Sequence, residues 1–359
     1  METIADFEIQ YSQFLDPDGR PSDTLPDFAQ DSEQLIEMYR QMTLVRIFDG
    51  KAINLQRTGK LGTYASSLGH EASHVGIGAA MRPEDCLAPS YREYGAMLWR
   101  GVKMSEILLY WGGDERGSRF EHAPHDFPFC VPIATQCLHA AGAAMAYQLR
   151  GEPRCAVSIN GDGGTSEGAF YEALNVAGAK KLPVVFVVIN NKWAISVPLE
   201  LQTASRTLAQ KAVAAGIPGL QVDGNDVIAV RHWMERALER ARRGEGPALI
   251  EAITYRLSDH TTADDASRYR KKEEVEAARA IEPLLRLRRY LVEQGLWDDA
   301  REEALRAECV ERVDAAVESY INTPRAPVTD MFDYLFEKLP DHLVAQREMA
   351  QHYDRGGRH

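Results

Sequence analysis

The most chemically informative part of the sequence combines an acid among glycines with a pair of amides. Asp162 lies within the run GDGG at 161–164, shortly after the apolar stretch CAVSI, and Asn190-Asn191 directly follows the apolar stretch PVVFVVI. A carboxylate and an amide oxygen are hard ligands that suit Mg²⁺ or Ca²⁺, and Mg²⁺ commonly keeps positions open for phosphate oxygens. Glycines let the backbone approach a diphosphate closely. We therefore predict a Mg²⁺-diphosphate site formed by these two segments.

Both segments are predicted to follow strands of one sheet. CAVSI and PVVFVVI are strand-sized apolar runs, and the helical stretch TSEGAFYEALNVAGAKK lies between them. A right-handed crossover between parallel strands brings their carboxyl ends to the same edge, where open α/β sheets bind ligands. We place the helix start at Thr165, where Thr165 and Ser166 would cap it and free N–H groups would face the diphosphate. Asp162 and Asn191 are thus expected to converge.

Other motifs for phosphates or cations do not fit this spacing. The glycines at 161, 163 and 168 do not form GxGxxG, and no GK[ST] follows them. An EF-hand loop beginning at Asn160 would need glycine where Thr165 stands. The plainest alternative is a glycine turn with an unrelated asparagine turn, and the placement of both at strand ends argues against it.

The wider chain is organised around these two strands. Between about 60 and 258, short apolar runs alternate with helical stretches, which predicts an α/β fold with a mostly parallel sheet flanked by helices. Residues 1–59 are predicted to form an arm and a helix. Residues 259–280 are polar, lack periodicity and are predicted to form an active-site loop. Residues 281–359 are predicted to form a C-terminal helical extension.

Composition limits the possible partners and location. The chain has 359 residues, and its net charge of −12 argues against a nucleic-acid binder. Its five cysteines are scattered without a CxxC pair, which indicates neither a zinc ribbon nor a disulfide framework and predicts a reducing, cytoplasmic location. The N-terminus lacks the pattern of a secretory signal. No apolar run reaches the ~18 residues of a membrane span.

Longer motifs carry a family resemblance. GDG, an intervening helix and strand, and then NN resemble the signature of thiamine-diphosphate enzymes. YREYGAMLWRG, GDGGTSEGAFYEALNVAGA, NNKWAIS, AQKAVAAGIPGLQVDGND and DHTTADDASRYR resemble the alpha subunit of 2-oxo acid dehydrogenases, the decarboxylating components of the pyruvate and branched-chain complexes. The resemblance covers roughly residues 30 to 345.

The resemblance implies roles at the diphosphate end of the cofactor. Asp162, the Asn191 side chain and the main-chain carbonyl of Trp193 would bind Mg²⁺. Family members often have tyrosine or phenylalanine at the last position, a change that a main-chain ligand tolerates. The remaining residues implied to contact the diphosphate are Gly161, Gly163, Gly164, Tyr91 and Arg92.

Further roles come from two other stretches. In CVPIATQ, the main chain of Val131 and Ile133 would touch the aminopyrimidine, and Thr135 and Gln136 match residues that help to bind K⁺ in some relatives. His260 matches a histidine that contacts the diphosphate and borders the active-centre channel, where a histidine could also move protons. This chain departs from its relatives in having Ser-Asp at 258–259, where they often have glycine followed by histidine or proline.

The implied activity is oxidative decarboxylation of a 2-oxo acid, with transfer of the acyl unit to a lipoyl group on the acyltransferase core of the complex. Thiamine diphosphate is held at its two ends by two α/β domains, and residues 60–258 accommodate only one. We therefore expect the activating glutamate on a beta subunit within an α2β2 assembly.

The substrate choice favours pyruvate over a branched-chain 2-oxo acid. AQKAVAAGIPGLQVDG and YASSLG are similar to pyruvate-type members, whereas IATQ and the TYR…DHTTADD region are equally similar to branched-chain members. An acetoin dehydrogenase alpha subunit is a further alternative, against which the tail FEKLPDHLVAQ counts. A non-catalytic module that binds Mg²⁺-nucleotide is the alternative from another class. Thr261, Thr262 and Ser267 lie in a loop that resembles a phosphorylation loop in some relatives, but exposed hydroxyls in polar loops are usually only solvated, so regulation there is not predicted.

Overall fold

The computed structural model describes residues 1–22 and 24–354. In these residues the strands are β1 (Gln10–Ser12), β2 (Cys86–Ala88), β3 (Ala156–Gly161), β4 (Val184–Asn190), β5 (Trp193–Ala194), β6 (Val197–Pro198), β7 (Gly219–Asp223) and β8 (Ala248–Ile253). Six of them form one parallel sheet in the order β1-β7-β8-β4-β3-β2, and β5 pairs with β6 in antiparallel fashion. The predicted α/β class with a parallel sheet is therefore confirmed.

Helices surround this sheet and continue beyond it to the C-terminal end of the described chain. They are α1 (Ser32–Arg57), α2 (Glu71–Ala80), α3 (Tyr94–Trp99), α4 (Met104–Trp111), α5 (Thr135–Arg150), α6 (Gly168–Lys180), α7 (Leu199–Gln202), α8 (Lys211–Ala214), α9 (Val227–Arg242), α10 (Lys272–Ala280), α11 (Pro283–Glu293), α12 (Asp299–Ile321), α13 (Asp330–Asp333) and α14 (Asp341–Tyr353). Within the described residues, no helix combines the length and the apolar character needed to cross a bilayer.

Strand β4 shows why the sheet is covered on both faces. All seven of its residues are buried. Val185, Val187 and Ile189 pack into a core with α1, α2 and α9, whereas Val184, Phe186 and Val188 pack into a second core with α5 and α6. Side chains alternate between the faces of a strand, so an unbroken apolar run fits only a strand buried on both sides. Each buried Val or Phe contributes about 1.5–3 kcal/mol.

The register of β3 and β4 brings the two predicted motifs to one edge. Gly161 is paired with Ile189 at the end of the parallel ladder. The next residues, Asp162 and Asn190-Asn191, therefore lie side by side at the carboxyl edge of the sheet. This arrangement is the one that the crossover argument predicts.

The helix after the glycine turn begins later than predicted. Residues Gly163–Ser166 form a 3₁₀ turn, Glu167 is extended, and α6 begins at Gly168 rather than at Thr165. The Lys211 ammonium group donates to the Thr165 carbonyl at 2.8 Å and to its Oγ1 at 2.9 Å. The extended backbone of Glu167 separates the 3₁₀ turn from α6, and the Lys211 contacts hold the end of the 3₁₀ turn.

The N-terminal arm contributes a strand that the sequence does not indicate. β1 lies parallel to β7 at the edge of the sheet. Asp226, the residue that caps α9, accepts hydrogen bonds at Oδ2 from the main-chain N–H groups of Phe14 (2.6 Å) and Leu15 (2.8 Å). Three residues are too few to show periodicity, so only this pairing reveals the strand.

Other predicted boundaries differ in detail. The helix from Asp31 or Ser32 to about Gly59 is confirmed as α1, with Asp31 as its cap. The polar stretch predicted as a loop over 259–280 contains a 3₁₀ turn and helix α10. Helices α2, α4 and α5 were not predicted. The many small residues of α2 and α5 give weak periodicity, and the eight residues of α4 are few for a periodic pattern.

Candidate active site

A cavity of about 490 Å³ opens at the carboxyl edge of the sheet. Residues from several separate segments line it. They include every residue predicted for the site: Tyr91, Arg92, Val131, Ile133, Gly161, Asp162, Gly163, Gly164, Asn191, Trp193 and His260. Because these segments are far apart in the chain, only the fold assembles them.

Asp162, Asn191 and Trp193 form the part of the cavity with oxygen ligands. All three residues are buried. Asn191 Oδ1 accepts a hydrogen bond from Trp193 N at 3.2 Å, and the Trp193 carbonyl accepts from Arg256 Nη1 at 3.3 Å. Burial raises the pKa of Asp162, and the hydrogen bond from Gln202 only partly opposes this shift. A cation beside this carboxylate would offset the cost of burying its charge, so the donor set fits a hard divalent ion.

The turn that carries these ligands is strained. Lys192 and Ile195 have φ angles of +73° and +54°, in the left-handed region that side chains rarely adopt, least of all β-branched ones. Arg256, which is fully buried, donates from Nη2 to the Ile195 carbonyl at 2.7 Å. Such conformations persist where surrounding contacts hold them, and they concentrate at functional sites.

The glycine turn is shaped by close approach rather than by unusual dihedrals. A Cβ at Gly163 would lie 2.6 Å from Ala194 Cβ, and a Cβ at Gly164 would overlap the side-chain amide of Asn160. A Cβ at Gly161, by contrast, would meet no atom within 4 Å. Gly161 lines the cavity, so the open space beside it is available to a ligand. The bare backbone here fits a surface that a diphosphate could approach.

Arg92 and His260 meet in another part of the cavity wall. Arg92 donates to the Ser66 carbonyl and, at 2.9 Å, to the His260 carbonyl, and its Nη2 lies 3.2 Å from His260 Nδ1. Burial and the positive charges of Arg92 and Arg256 lower the pKa of His260 to about 3. The ring is therefore neutral, and with Arg92 donating to Nδ1 we place its proton on Nε2. Tyr91 packs edge-on against this ring, with centroids 6.3 Å apart.

The loop that carries His260 is held by its own hydrogen bonds. Asp264 accepts from His260 N at 2.8 Å and from the Tyr269 hydroxyl, which in turn accepts from Arg256 Nη2 at 2.9 Å. Asp259, at the position where the sequence departs from its relatives, accepts from Ala266 N at 2.9 Å. The unusual Ser-Asp pair is thus compatible with an ordered loop.

Val131 and Ile133 of the CVPIATQ stretch form another part of the wall. Val131 and Ile133 are 51% and 43% exposed, and Ala134 adopts a left-handed φ of +63° just before α5. The Gln136 amide nitrogen donates to the Ile159 carbonyl at 2.9 Å, while its Oε1 has no partner among the described residues. The K⁺ role of Thr135 and Gln136 stays a prediction.

Sequence reasoning missed two buried histidines in the wall. His70 and His74 line the cavity, and none of their ring nitrogens has a partner in the described part of the chain. Burial lowers both pKa values, that of His74 to about 3, so both rings are neutral. Their spacing was the available signal, because HEASH matches the metalloprotease pattern HExxH.

That pattern is not a zinc site here. Glu71 is ion-paired with Arg46 at 2.5 Å and also accepts from Gly69 N at 3.0 Å. Across residues 1–22 and 24–354, no group of three or more His, Cys, Asp and Glu side chains is arranged to hold a metal. The predicted set of one carboxylate, one amide and one carbonyl is of a different kind and does not depend on such a group.

The comparisons with known proteins agree with this geometry. Residues 39–329 match the family model described as dehydrogenase E1 component. The pyruvate dehydrogenase E1 component subunit alpha of Staphylococcus epidermidis is 39% identical over 351 residues, which cover 97% of this chain and 94% of that protein. The corresponding subunit of Staphylococcus aureus gives the same identity and coverage. The chain belongs to the dehydrogenase E1 component family.

Membership confirms the resemblance to alpha subunits of thiamine-diphosphate-dependent 2-oxo acid dehydrogenases, and the protein is an enzyme. The family implies thiamine diphosphate as cofactor, and E1 alpha subunits pair with a beta subunit and a lipoyl acyltransferase. In this E1 chain the glycine backbone, Arg92 and His260 face one cavity, which fits a diphosphate.

Proposed function

We propose that this chain is the alpha subunit of a pyruvate dehydrogenase E1 component, which decarboxylates pyruvate oxidatively and passes the acetyl unit to a lipoyl group on an acyltransferase. The carrying observation is that Asp162, Asn191 and the Trp193 carbonyl share one cavity with Arg92 and His260. Oxygen ligands and hydrogen-bond donors in one cavity suit a cation-bound diphosphate.

Different residues of the cavity have different roles in this function. Asp162, Asn191 and the Trp193 carbonyl hold Mg²⁺, and the backbone at Gly163 and Gly164 lets the diphosphate approach. Tyr91 and Arg92 secure the diphosphate, and the main chain at Val131 and Ile133 contacts the aminopyrimidine. When bound, thiamine diphosphate supplies a nucleophilic carbon and an electron sink for decarboxylation.

His260 is the proposed catalytic side chain of this subunit. Arg92 donates to its Nδ1, so the neutral ring holds its proton at Nε2. A neutral ring with its proton at Nε2 can donate a hydrogen bond to a phosphate oxygen. Placing it beside Arg92 keeps the ring neutral and fixes its orientation.

The beta subunit is the proposed partner, in an α2β2 assembly that docks with the acyltransferase core. The described residues contain one six-stranded α/β sheet, and its cavity is lined by the exposed apolar residues Val131, Ile133 and Ile195. Glu93, a carboxylate of this chain in the cavity wall, already accepts from Ser90 Oγ and Arg92 N. These features support an activating glutamate that comes from the partner.

The substrate proposal rests on the relatives. The proteins that match over nearly the whole chain are named as pyruvate dehydrogenase subunits. The alternative is a branched-chain 2-oxo acid such as 3-methyl-2-oxobutanoate, followed by acetoin. A cytoplasmic location and K⁺ binding remain predictions, supported for the location by five cysteines that are all free and buried.

The test is an assay of the chain purified with its beta partner. Reduction of an artificial acceptor is measured with pyruvate, 3-methyl-2-oxobutanoate and acetoin, with and without thiamine diphosphate. We expect cofactor-dependent turnover that is fastest with pyruvate. Faster turnover of either other substrate would reassign the substrate, and no cofactor-dependent turnover of any would refute the enzyme proposal for this complex.

A further inference from the structure

A buried carboxylate lies directly behind the proposed cation site. Glu251 is on β8 and is 1% exposed. Its Oε1 accepts from Asn190 Nδ2 at 2.7 Å, and its Oε2 accepts from Ala209 N at 2.8 Å and Gln221 Nε2 at 3.0 Å. All three partners are hydrogen-bond donors, so their arrangement suits a carboxylate, which only accepts hydrogen bonds.

Asn190 connects Glu251 to the turn that carries the proposed cation ligands. Its Nδ2 is used by Glu251, and its Oδ1 accepts from Lys192 N at 3.2 Å. The two contacts allow only one orientation of the amide. Lys192 is the residue held at a φ of +73°, and it lies between the two residues Asn191 and Trp193.

We propose that Glu251 is a positioning residue for the cation site. Through Asn190 it holds Lys192 in its left-handed conformation, so that the Asn191 side chain and the Trp193 carbonyl face Asp162. The inference rests on the proposed Mg²⁺ site and adds to it a residue that touches neither cation nor cofactor. Residues that orient metal ligands in this way typically change metal affinity by about 10–100-fold.

Two lysines on neighbouring segments face the same buried charge. Lys192 and Lys211 both interact electrostatically with Glu251, and burial lowers both of their pKa values while the carboxylate opposes that shift. Lys211 also fixes Thr165 at the end of the glycine turn. The segments on both sides of the cation site are thus tied to one interior charge, which explains why an acid is tolerated in the middle of the sheet.

A glutamine cannot replace this carboxylate. If the amide nitrogen of the glutamine points towards Asn190, two donors meet, because Asn190 presents Nδ2 there. Rotating the Asn190 amide would remove this conflict, but Lys192 N would then face a donor instead of an acceptor. If the amide nitrogen of the glutamine points the other way, it meets the main-chain donor Ala209 N, which cannot rotate. Glu251→Gln therefore breaks at least one contact at nearly constant volume.

A reciprocal exchange should repair the contact. In the double variant Asn190→Asp/Glu251→Gln, the new glutamine would donate from its amide nitrogen to one oxygen of the new aspartate, whose other oxygen accepts from Lys192 N. The amide oxygen of that glutamine remains as acceptor for Ala209 N and Gln221. The single variant Asn190→Asp instead places two carboxylates face to face.

The test measures cation binding directly, in the full chain purified with its beta partner. Mn²⁺ serves as the probe, and free Mn²⁺ is followed by electron paramagnetic resonance with saturating thiamine diphosphate. We expect the Mn²⁺ dissociation constant to rise about tenfold or more in E251Q and N190D, and to return to within about threefold of wild type in the double variant. Gln221→Met is the control, because it removes one bond to Glu251 without touching Asn190, and it should leave the dissociation constant within about twofold.

Unchanged Mn²⁺ binding in E251Q, or a double variant no better than its singles, would overturn the proposal. If E251Q does not fold, the comparison of N190D with the double variant decides in the same way. Failure of the wild-type complex to bind Mn²⁺ in a cofactor-dependent manner would instead overturn the proposed function itself.

Discussion

Gln202 donates a hydrogen bond of 2.6 Å from Nε2 to Oδ2 of Asp162, and so joins the end of α7 to the glycine turn. The same amide nitrogen also contacts the Val197 carbonyl at 3.0 Å. One oxygen of the Asp162 carboxylate is therefore oriented by the protein. The proposed site is arranged in advance on a residue that is 2% exposed.

Removing the charge of Asp162 should abolish this site. In Asp162→Asn the amide keeps the shape but presents no negative charge to Mg²⁺, and we expect Mg²⁺-dependent activity to fall at least about 100-fold. Titration of Mg²⁺ and thiamine diphosphate by calorimetry checks the result. Asp314→Asn, at a surface ion pair with Lys51, is the matched control and should behave as wild type. Wild-type affinity in D162N would rule out the cation assignment.

Replacing Arg92 by lysine should weaken cofactor binding. Its guanidinium group contacts both Ser66 and His260, and an ammonium group cannot reach both while also facing a phosphate. Losing one or two charge-assisted hydrogen bonds costs about 1.5–3 kcal/mol, so thiamine diphosphate should bind about 10- to 100-fold more weakly to R92K. Fluorescence titration of the complex measures this, with Arg312→Lys on the surface of α12 as control. Equal dissociation constants for the two variants would argue against the assignment.

Two glycines of the turn should respond differently to alanine. Gly164→Ala forces a Cβ into the Asn160 amide, whereas Gly161→Ala meets no protein atom. We expect a loss of about 1–3 kcal/mol in the free energy of unfolding for G164A and little change for G161A without cofactor. Urea denaturation of both variants is the measurement. G161A should instead weaken cofactor binding, because its methyl group enters the cavity, and a destabilised G161A would contradict the predicted open space.

The neutral state of His260 predicts a pH effect on stability. Its pKa is about 3 in the folded protein, mainly because of burial, and about 6.5 in the unfolded chain. The unfolded chain therefore takes up a proton as the pH falls below about 6.5 and the folded protein does not, so folding stability declines from pH 6.5 towards 3. His260→Gln should remove this contribution. Between pH 7.5 and 5.5, we expect the cofactor-free wild type to lose about 1 kcal/mol more than H260Q, a value already reduced for partial exposure. Parallel losses in urea titrations would contradict the neutral assignment.

Asp226 should be sensitive to loss of one acceptor oxygen. Its Oδ1 accepts from Ile228 N and Ala229 N at the start of α9, and its Oδ2 accepts from Phe14 N and Leu15 N of the arm. Asp226→Asn turns one side into a donor, which leaves two buried N–H groups without an acceptor. We expect a loss of about 1–3 kcal/mol, measured by denaturation, and faster hydrogen exchange in either the arm or the first turn of α9. Asp298→Asn, at the exposed cap of α12, is the control for loss of the charge alone, because the asparagine oxygen can still accept from Arg301 N.

Much of the fold and the main residues of the site could be predicted from local patterns. An unbroken run such as PVVFVVI fits only a strand covered on both faces, so the parallel sheet follows from it. Asp162 and Asn191 were predicted to meet because each directly follows such a strand. Residue type then indicated their chemistry, since a carboxylate and an amide among glycines suit a cation and a diphosphate.

Contacts between distant segments were decided only in three dimensions. Lys211 engages the Thr165 carbonyl 46 residues away, at the end of the 3₁₀ turn that precedes α6. Glu251 reaches Asn190 across the sheet, and nothing in the spacing of either residue indicates the other. Helix and strand preferences act over a few neighbouring residues, whereas these hydrogen bonds depend on how loops and strands are arranged in space. The sequence therefore determined which groups are available for chemistry, and the packed fold determined which of them meet and how each is oriented.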